Sequence, residues 1–104
     1  MAEWVKVGET GDWAPQPGQV KVIIPRGERI ALCNVGGDFY AIDDVCTHDG
    51  GPLDQGELLG DQIECPRHGA MFDVRTGKAL TLPAIFPIKT YPVKVEGSDI
   101  LIEL

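Results

Sequence analysis

Basic residues are scarce in this 104-residue chain: nine Lys and Arg stand against 16 Asp and Glu, giving a formal charge of −7. Phosphate binding runs on clustered cations, so this deficit excludes a nucleic-acid backbone and disfavours an anionic membrane surface. It suits a basic protein partner instead. No apolar run approaches the roughly 20 residues of a spanning helix. The start, Met1-Ala2-Glu3-Trp4-Val5-Lys6, lacks the basic flank and apolar stretch of a signal peptide, so the expected compartment is the cytoplasm. Cysteine is too sparse for a secreted disulfide scaffold: there are three, an odd number, and two of them sit close to His. Helical periodicity is missing too, and 13 Gly and eight Pro are too many for a helical bundle.

What is present is an ordinary globular composition, 43% hydrophobic and 24% charged. The length fits one domain, residues 1–104, whose modest core would benefit from a metal site or other cross-link. Short β-rich runs alternate with Gly or Asp turns, which predicts strands near 4–7, 20–24, 28–35, 38–42, 57–59, 62–64, 70–74, 91–96 and 99–104. Val35-Gly36-Gly37-Asp38 has the chemistry of a two-residue type I′ hairpin, and Leu59-Gly60-Asp61-Gln62 and Glu96-Gly97-Ser98-Asp99 read the same way. Two segments refuse the strand pattern, 43–56 and 65–69, with the hairpin 57–64 between them. A third irregular stretch, 81–87, carries Pro83 and Pro87. No internal repeat is visible.

The first loop holds Cys46-Thr47-His48 and the second Cys65-Pro66-Arg67-His68, separated by residues 49–64. Both histidines of the chain and two of its three cysteines are therefore here, which points to metal binding. Two Cys and two His could close a tetrahedral zinc site, giving a structural interaction module without redox chemistry. Zinc fingers, however, group Cys with Cys and His with His, whereas each loop here mixes the two. That arrangement suits a dinuclear centre in which one iron takes both thiolates and the other both imidazoles, the ligand set of a Rieske [2Fe–2S] cluster.

The whole chain resembles a Rieske-type [2Fe–2S] ferredoxin of the kind that serves multicomponent aromatic-ring-hydroxylating dioxygenases. The resemblance implies an all-β Rieske fold of small antiparallel sheets with a cluster-binding part over about residues 43–87. It assigns Cys46 and Cys65 to the inner iron and His48 and His68 to the outer one, with 82–87 as the loop covering a third side. It implies a monomeric one-electron carrier, not an enzyme, that takes electrons from a flavoprotein NAD(P)H-dependent reductase and gives them to a terminal Rieske non-haem iron oxygenase. A mononuclear oxygenase iron would need further His, and none is left. Within the same family, the small subunit of an assimilatory nitrite reductase or an orphan ferredoxin linked to cluster biogenesis are alternatives.

Respiratory Rieske proteins differ at informative positions. Their interloop disulfide corresponds here to Gly51 and Arg67, and their Ser and Tyr hydroxyls near the cluster correspond to Ala70 and Phe72. Without those hydroxyls the reduced state is less stabilised, so the expected midpoint lies in the lower part of the roughly −150 to +300 mV range. Ligated imidazoles that shed a proton on oxidation predict a potential falling at alkaline pH. Pro66, Gly50, Gly51 and Gly69 are expected to shape the loops, and Thr47 to be held by its place between ligands. Cys33 reads as an inert core thiol, and Trp4 and Trp13 as packing residues. The acids Asp43, Asp44, Asp49, Asp54, Glu57 and Asp61 crowd the first loop. They form either a solvated face or a docking rim whose encounters would weaken steeply with salt, with Arg67 breaking the acidic pattern.

Overall fold

The computed structural model describes residues 3–47 and 50–104. Among the described residues, ten strands form three antiparallel sheets. The central sheet runs in the order β2 (Val20–Ile23), β3 (Ile30–Val35), β4 (Asp38–Asp43) and β8 (Thr90–Tyr91). A terminal sheet joins β1 (Trp4–Glu9), β10 (Asp99–Glu103) and β9 (Val93–Glu96), and a small one joins β5 (Leu58–Leu59), β6 (Gln62–Glu64) and β7 (Met71–Asp73). Among the described residues no helix is long and apolar enough to cross a membrane.

β3 explains how the sheets fit together. Its residues Ile30 to Asn34 are all buried, the signature of a strand covered on both faces. Side chains alternate across a strand, so Ile30 and Leu32 enter one core with Ala41, Tyr91, Ile100 and Ile102. Ala31 and Cys33 enter the other, with Ile42, Leu53, Ile63, Phe72, Cys46 and Cys65. The central sheet thus separates a terminal-sheet core from a core that underlies the two cysteine-bearing loops. Burying each such aliphatic side chain contributes about 1.5–3 kcal/mol. Trp13 packs on the first core, its ring against the bare backbone of Gly8, while Lys21 Nζ lies 4.2 Å from the ring centroid. Trp4 is partly exposed, with Lys94 Nζ 4.3 Å from its ring centroid.

All three hairpins form with two-residue loops, but they are not of one kind. At Gly36 and Gly37 both φ angles are positive, 60° and 104°, as type I′ demands. At the other two only the glycine is positive, Gly60 at 64° and Gly97 at 61°, while Asp61 and Ser98 keep ordinary φ. That is the sign pattern of type II′, which spares a side-chain-bearing residue the left-handed region. The strand expected over 91–96 is interrupted instead: Pro92, which has no N–H to donate, separates β8 from β9 and lets the chain pass from the central sheet to the terminal one. The run expected to begin at Glu28 starts at Ile30, because Pro25–Gly27 forms a short 3₁₀ turn with Arg26 at φ 54°.

β8 is also fastened to β4 by a side chain. Tyr91 Oη donates to Asp43 Oδ1 at 2.5 Å, and Asp43 N–H donates to the Lys89 carbonyl. Burial, reinforced by Asp43, pushes the Tyr91 phenol well above its ordinary value. A raised folded value keeps the proton on in the folded state. Its stabilising contribution is complete below about pH 10 and is lost as rising pH ionises the unfolded phenol. Urea titrations across the alkaline range should show Tyr91→Phe losing stability less steeply than the parent, by at most about 1.4 kcal/mol per pH unit. Identical slopes would remove this linkage.

Candidate metal centre

The first cysteine loop leaves β4, and the second connects β6 to β7. Their backbones follow one pattern. Cys46 N–H donates to the Gly51 carbonyl at 2.7 Å and Gly50 N–H to the Cys46 carbonyl at 2.8 Å. Cys65 N–H donates to the Ala70 carbonyl at 2.7 Å and Gly69 N–H to the Cys65 carbonyl at 3.0 Å. Gly50 and Gly69, each four residues after its cysteine, have φ of 77° and 76°, where any other residue would be strained. The two loops therefore share one backbone conformation at their ends. Only the Cys and the Gly four positions later are shared, and the His falls two residues after Cys46 but three after Cys65.

Both cysteines are sealed in, each at 1% exposure, and both belong to the core that holds Phe72, Leu53 and Ile63. His68, three residues from Cys65, is exposed, as are Pro66 and Arg67 beside it. His48, the fourth expected ligand, and Asp49 lie outside the described residues. The described ones do not form a cage of three His, Cys, Asp or Glu ready to clasp a single ion. Buried thiols and a solvent-side imidazole are the donor set a Rieske cluster requires, with sulfur inside and nitrogen outside, so these residues fit the group. Ala70 and Phe72 are fully buried in this layer and bring no hydroxyl to it. Cys33 shares the core, but burial, assisted by the charge on Asp44, pushes its thiol up to about 12. Its Sγ faces the Ala31 carbonyl at 3.9 Å, so it stays an inert apolar neighbour.

The irregular stretch 81–87 closes a third side. Ala84 and Ile88 sink into the same core, Met71 N–H donates to Thr81 Oγ1 at 2.9 Å, and Thr47 Oγ1 donates to the Phe86 carbonyl at 2.7 Å. Thr47 thus ties the third loop to the first. So anchored, the stretch turns Leu82, Ile85 and Phe86 outward, 63–78% exposed. Gly56 seats the first loop's exit against β6, since a Cβ there would lie 1.8 Å from the Glu64 carbonyl oxygen, one residue before Cys65.

Among the described acids around the first loop, Asp44 and Asp54 are turned inward, while Asp61 stays at the surface. Asp44 is buried, bound by Arg29 and two backbone N–H groups. Asp43 receives Tyr91, Asp54 pairs with Arg29, and Asp61 pairs with Arg75 at 3.0 Å. Glu57 remains exposed.

The description of the Rieske [2Fe-2S] domain matches residues 3–92. The chain is 46% identical to the ferredoxin component of biphenyl 2,3-dioxygenase from Rhodococcus jostii (strain RHA1), covering 95% of this chain and 91% of that protein. It is 52% identical to the 3-phenylpropionate/cinnamic acid dioxygenase ferredoxin subunit of Shigella boydii serotype 4 (strain Sb227), over 78% of this chain and 85% of the relative. Among solved structures, a complex of reduced oxygenase and oxidized ferredoxin in carbazole 1,9a-dioxygenase contains a chain that superposes with a TM-score of 0.87 at 37% identity, covering 95% of this chain and 91% of that one. Sequence, sheet architecture and paired loops agree, and the chain belongs to the Rieske [2Fe–2S] domain family.

Proposed function

We propose that this protein is the one-electron carrier of a multicomponent aromatic-ring dioxygenase system, working in the cytoplasm as a monomeric single domain between a flavoprotein reductase and a terminal oxygenase. Cys46, His48, Cys65 and His68 are its cluster ligands, within a cluster-binding part of about residues 43–87. The observation that carries the reading is the split environment of two neighbours: Cys65 is buried in the core while His68, three residues on, faces solvent. When bound, a Rieske cluster supplies a reversible one-electron couple whose potential answers to hydrogen bonding and burial. The residues of this chain do the rest. The core around Cys46 and Cys65 keeps water from the thiolates, and the matched loop backbones hold both at the same pitch. The exposed His68 edge is where a partner can come close, and the names of the relatives, all ferredoxin components or subunits, support protein partners rather than a small substrate.

Electron paramagnetic resonance of the dithionite-reduced protein tests this. A rhombic signal of low average g is expected from mixed Cys and His ligation. A colourless protein carrying one zinc, or a signal of all-Cys type, would replace the carrier with a zinc module or a different cluster.

A further inference from the structure

The two cysteine loops share a backbone pattern but are not closed in the same way. The second is shut by a strand ladder, Glu64 pairing with Met71 where β6 and β7 flank it. Among the described residues the first has no such ladder: β4 enters it and ends at Asp43, and the next described strand starts at Leu58. A single carboxylate stands in that place. Asp44 Oδ1 accepts the N–H groups of Leu53 at 2.8 Å and Asp54 at 2.7 Å, so the loop's entry is fastened to its exit. Oδ2 accepts Arg29 Nε at 2.6 Å, and the Asp44 N–H donates to the Arg29 carbonyl at 3.1 Å. Arg29 Nη2 reaches on to Asp54 Oδ1 at 3.4 Å. The Asp44 side chain has no exposure, whereas that of Arg29 is half exposed. Leu53, whose N–H is held, is itself fully buried in the core of Cys46 and Cys65.

We propose that Asp44, oriented by Arg29, is the positioning residue of the first cluster loop: one side chain does for the described part of this loop, residues 45–47 and 50–52, what a strand ladder does for the second, and so holds Cys46 in register with it. The clamp's chemistry is specific. An asparagine could still accept the two N–H groups, but its amide would turn a donor toward the Arg29 donor. Losing a charge-assisted hydrogen bond of this kind should open the loop roughly 10- to 150-fold more often, the equivalent of about 1.5–3 kcal/mol.

The inference rests on the cluster reading, so the test reports on both. In the holoprotein, iron release to a ferrous chelator and the g-values of the reduced state are compared for the parent, Asp44→Asn, Arg29→Gln, Arg29→Lys and Ile100→Ala. The last lies in the opposite core and lowers stability without touching the clamp. Asp44→Asn and Arg29→Gln should release iron at least about ten times faster than the parent and broaden the g-values, with Arg29→Lys in between. Ile100→Ala should do neither at a matched loss of melting temperature. Should Asp44→Asn fail to fold, the surface-accessible Arg29 variants decide alone. A parent without a Rieske signal overturns the cluster reading and this inference together. A normal parent signal with Arg29→Gln unchanged, or with Ile100→Ala releasing iron equally fast, overturns the clamp and leaves the carrier role intact.

Discussion

Replacing His68 with Cys should lower the midpoint potential by on the order of 100 mV and abolish the low-g rhombic signal, while a cluster is still bound. The argument is one of charge. Two thiolates balance an oxidised [2Fe–2S] core, so a third makes the site more negative before the electron arrives, and reduction then adds to an existing anion. Rieske centres with two imidazoles begin at about −150 mV, and plant-type centres with none lie near −400 mV, so each exchange accounts for roughly 100 mV or more. Position sets where in that range the effect falls. His68 is solvent-exposed, so water screens the new charge more than it would at Cys46 or Cys65, which are 1% exposed. Protein-film or dye-mediated titration gives the midpoint. A midpoint and g-values indistinguishable from the parent would mean that this imidazole is not a ligand, and the carrier reading would fall with it.

What the sequence disclosed, and what it hid, follows from the range of the interactions involved. Hairpins were legible because their determinants are adjacent: Gly36 and Gly37 must accept positive φ, and the flanking strands follow from alternation. The family was legible because the spacing of Cys and His within each loop carries its chemistry. The two-sided burial of β3, over the apolar run Ile30-Ala31-Leu32-Cys33, came only with the structure, which shows the sheet covering each face. Asp44 was misread as a surface acid. Nothing local distinguishes it from Asp43, and its meaning comes from Arg29, fifteen residues earlier, and from backbone N–H groups nine and ten residues later. The kinship of the two loops was hidden for a different reason. Hydrogen bonding fixes their backbones alike, while the histidines fall at different offsets in the sequence, so the likeness lies in φ and in N–H donors rather than in residue identity.

The inward turning of the acids changes how docking should respond to salt and to mutation. With Asp44 and Asp54 turned inward, and Asp43 and Asp61 already paired within the chain, less of the expected acidic rim is left to steer a basic partner. Beside His68 and Arg67, the cluster end presents an apolar patch: Leu82, Ile85 and Phe86, held out on a loop whose Ala84 and Ile88 are buried and whose Phe86 carbonyl is tied to Thr47. Large exposed side chains on an anchored backbone lose little entropy on association, and a buried aromatic anchor typically accounts for 2 kcal/mol or more of binding. Phe86→Ser should therefore slow electron delivery to a terminal oxygenase by roughly 30-fold below saturation, and Ile85→Ser by less, with midpoint and g-values unchanged. The parent's rate should vary only weakly between low and physiological ionic strength, since apolar contact is not screened. Stopped-flow reduction of the oxygenase by the pre-reduced carrier measures both. A steep fall with salt together with an unaffected Phe86→Ser would return the recognition to charge, and Glu57 and Arg67, both exposed, would then be the residues to change first.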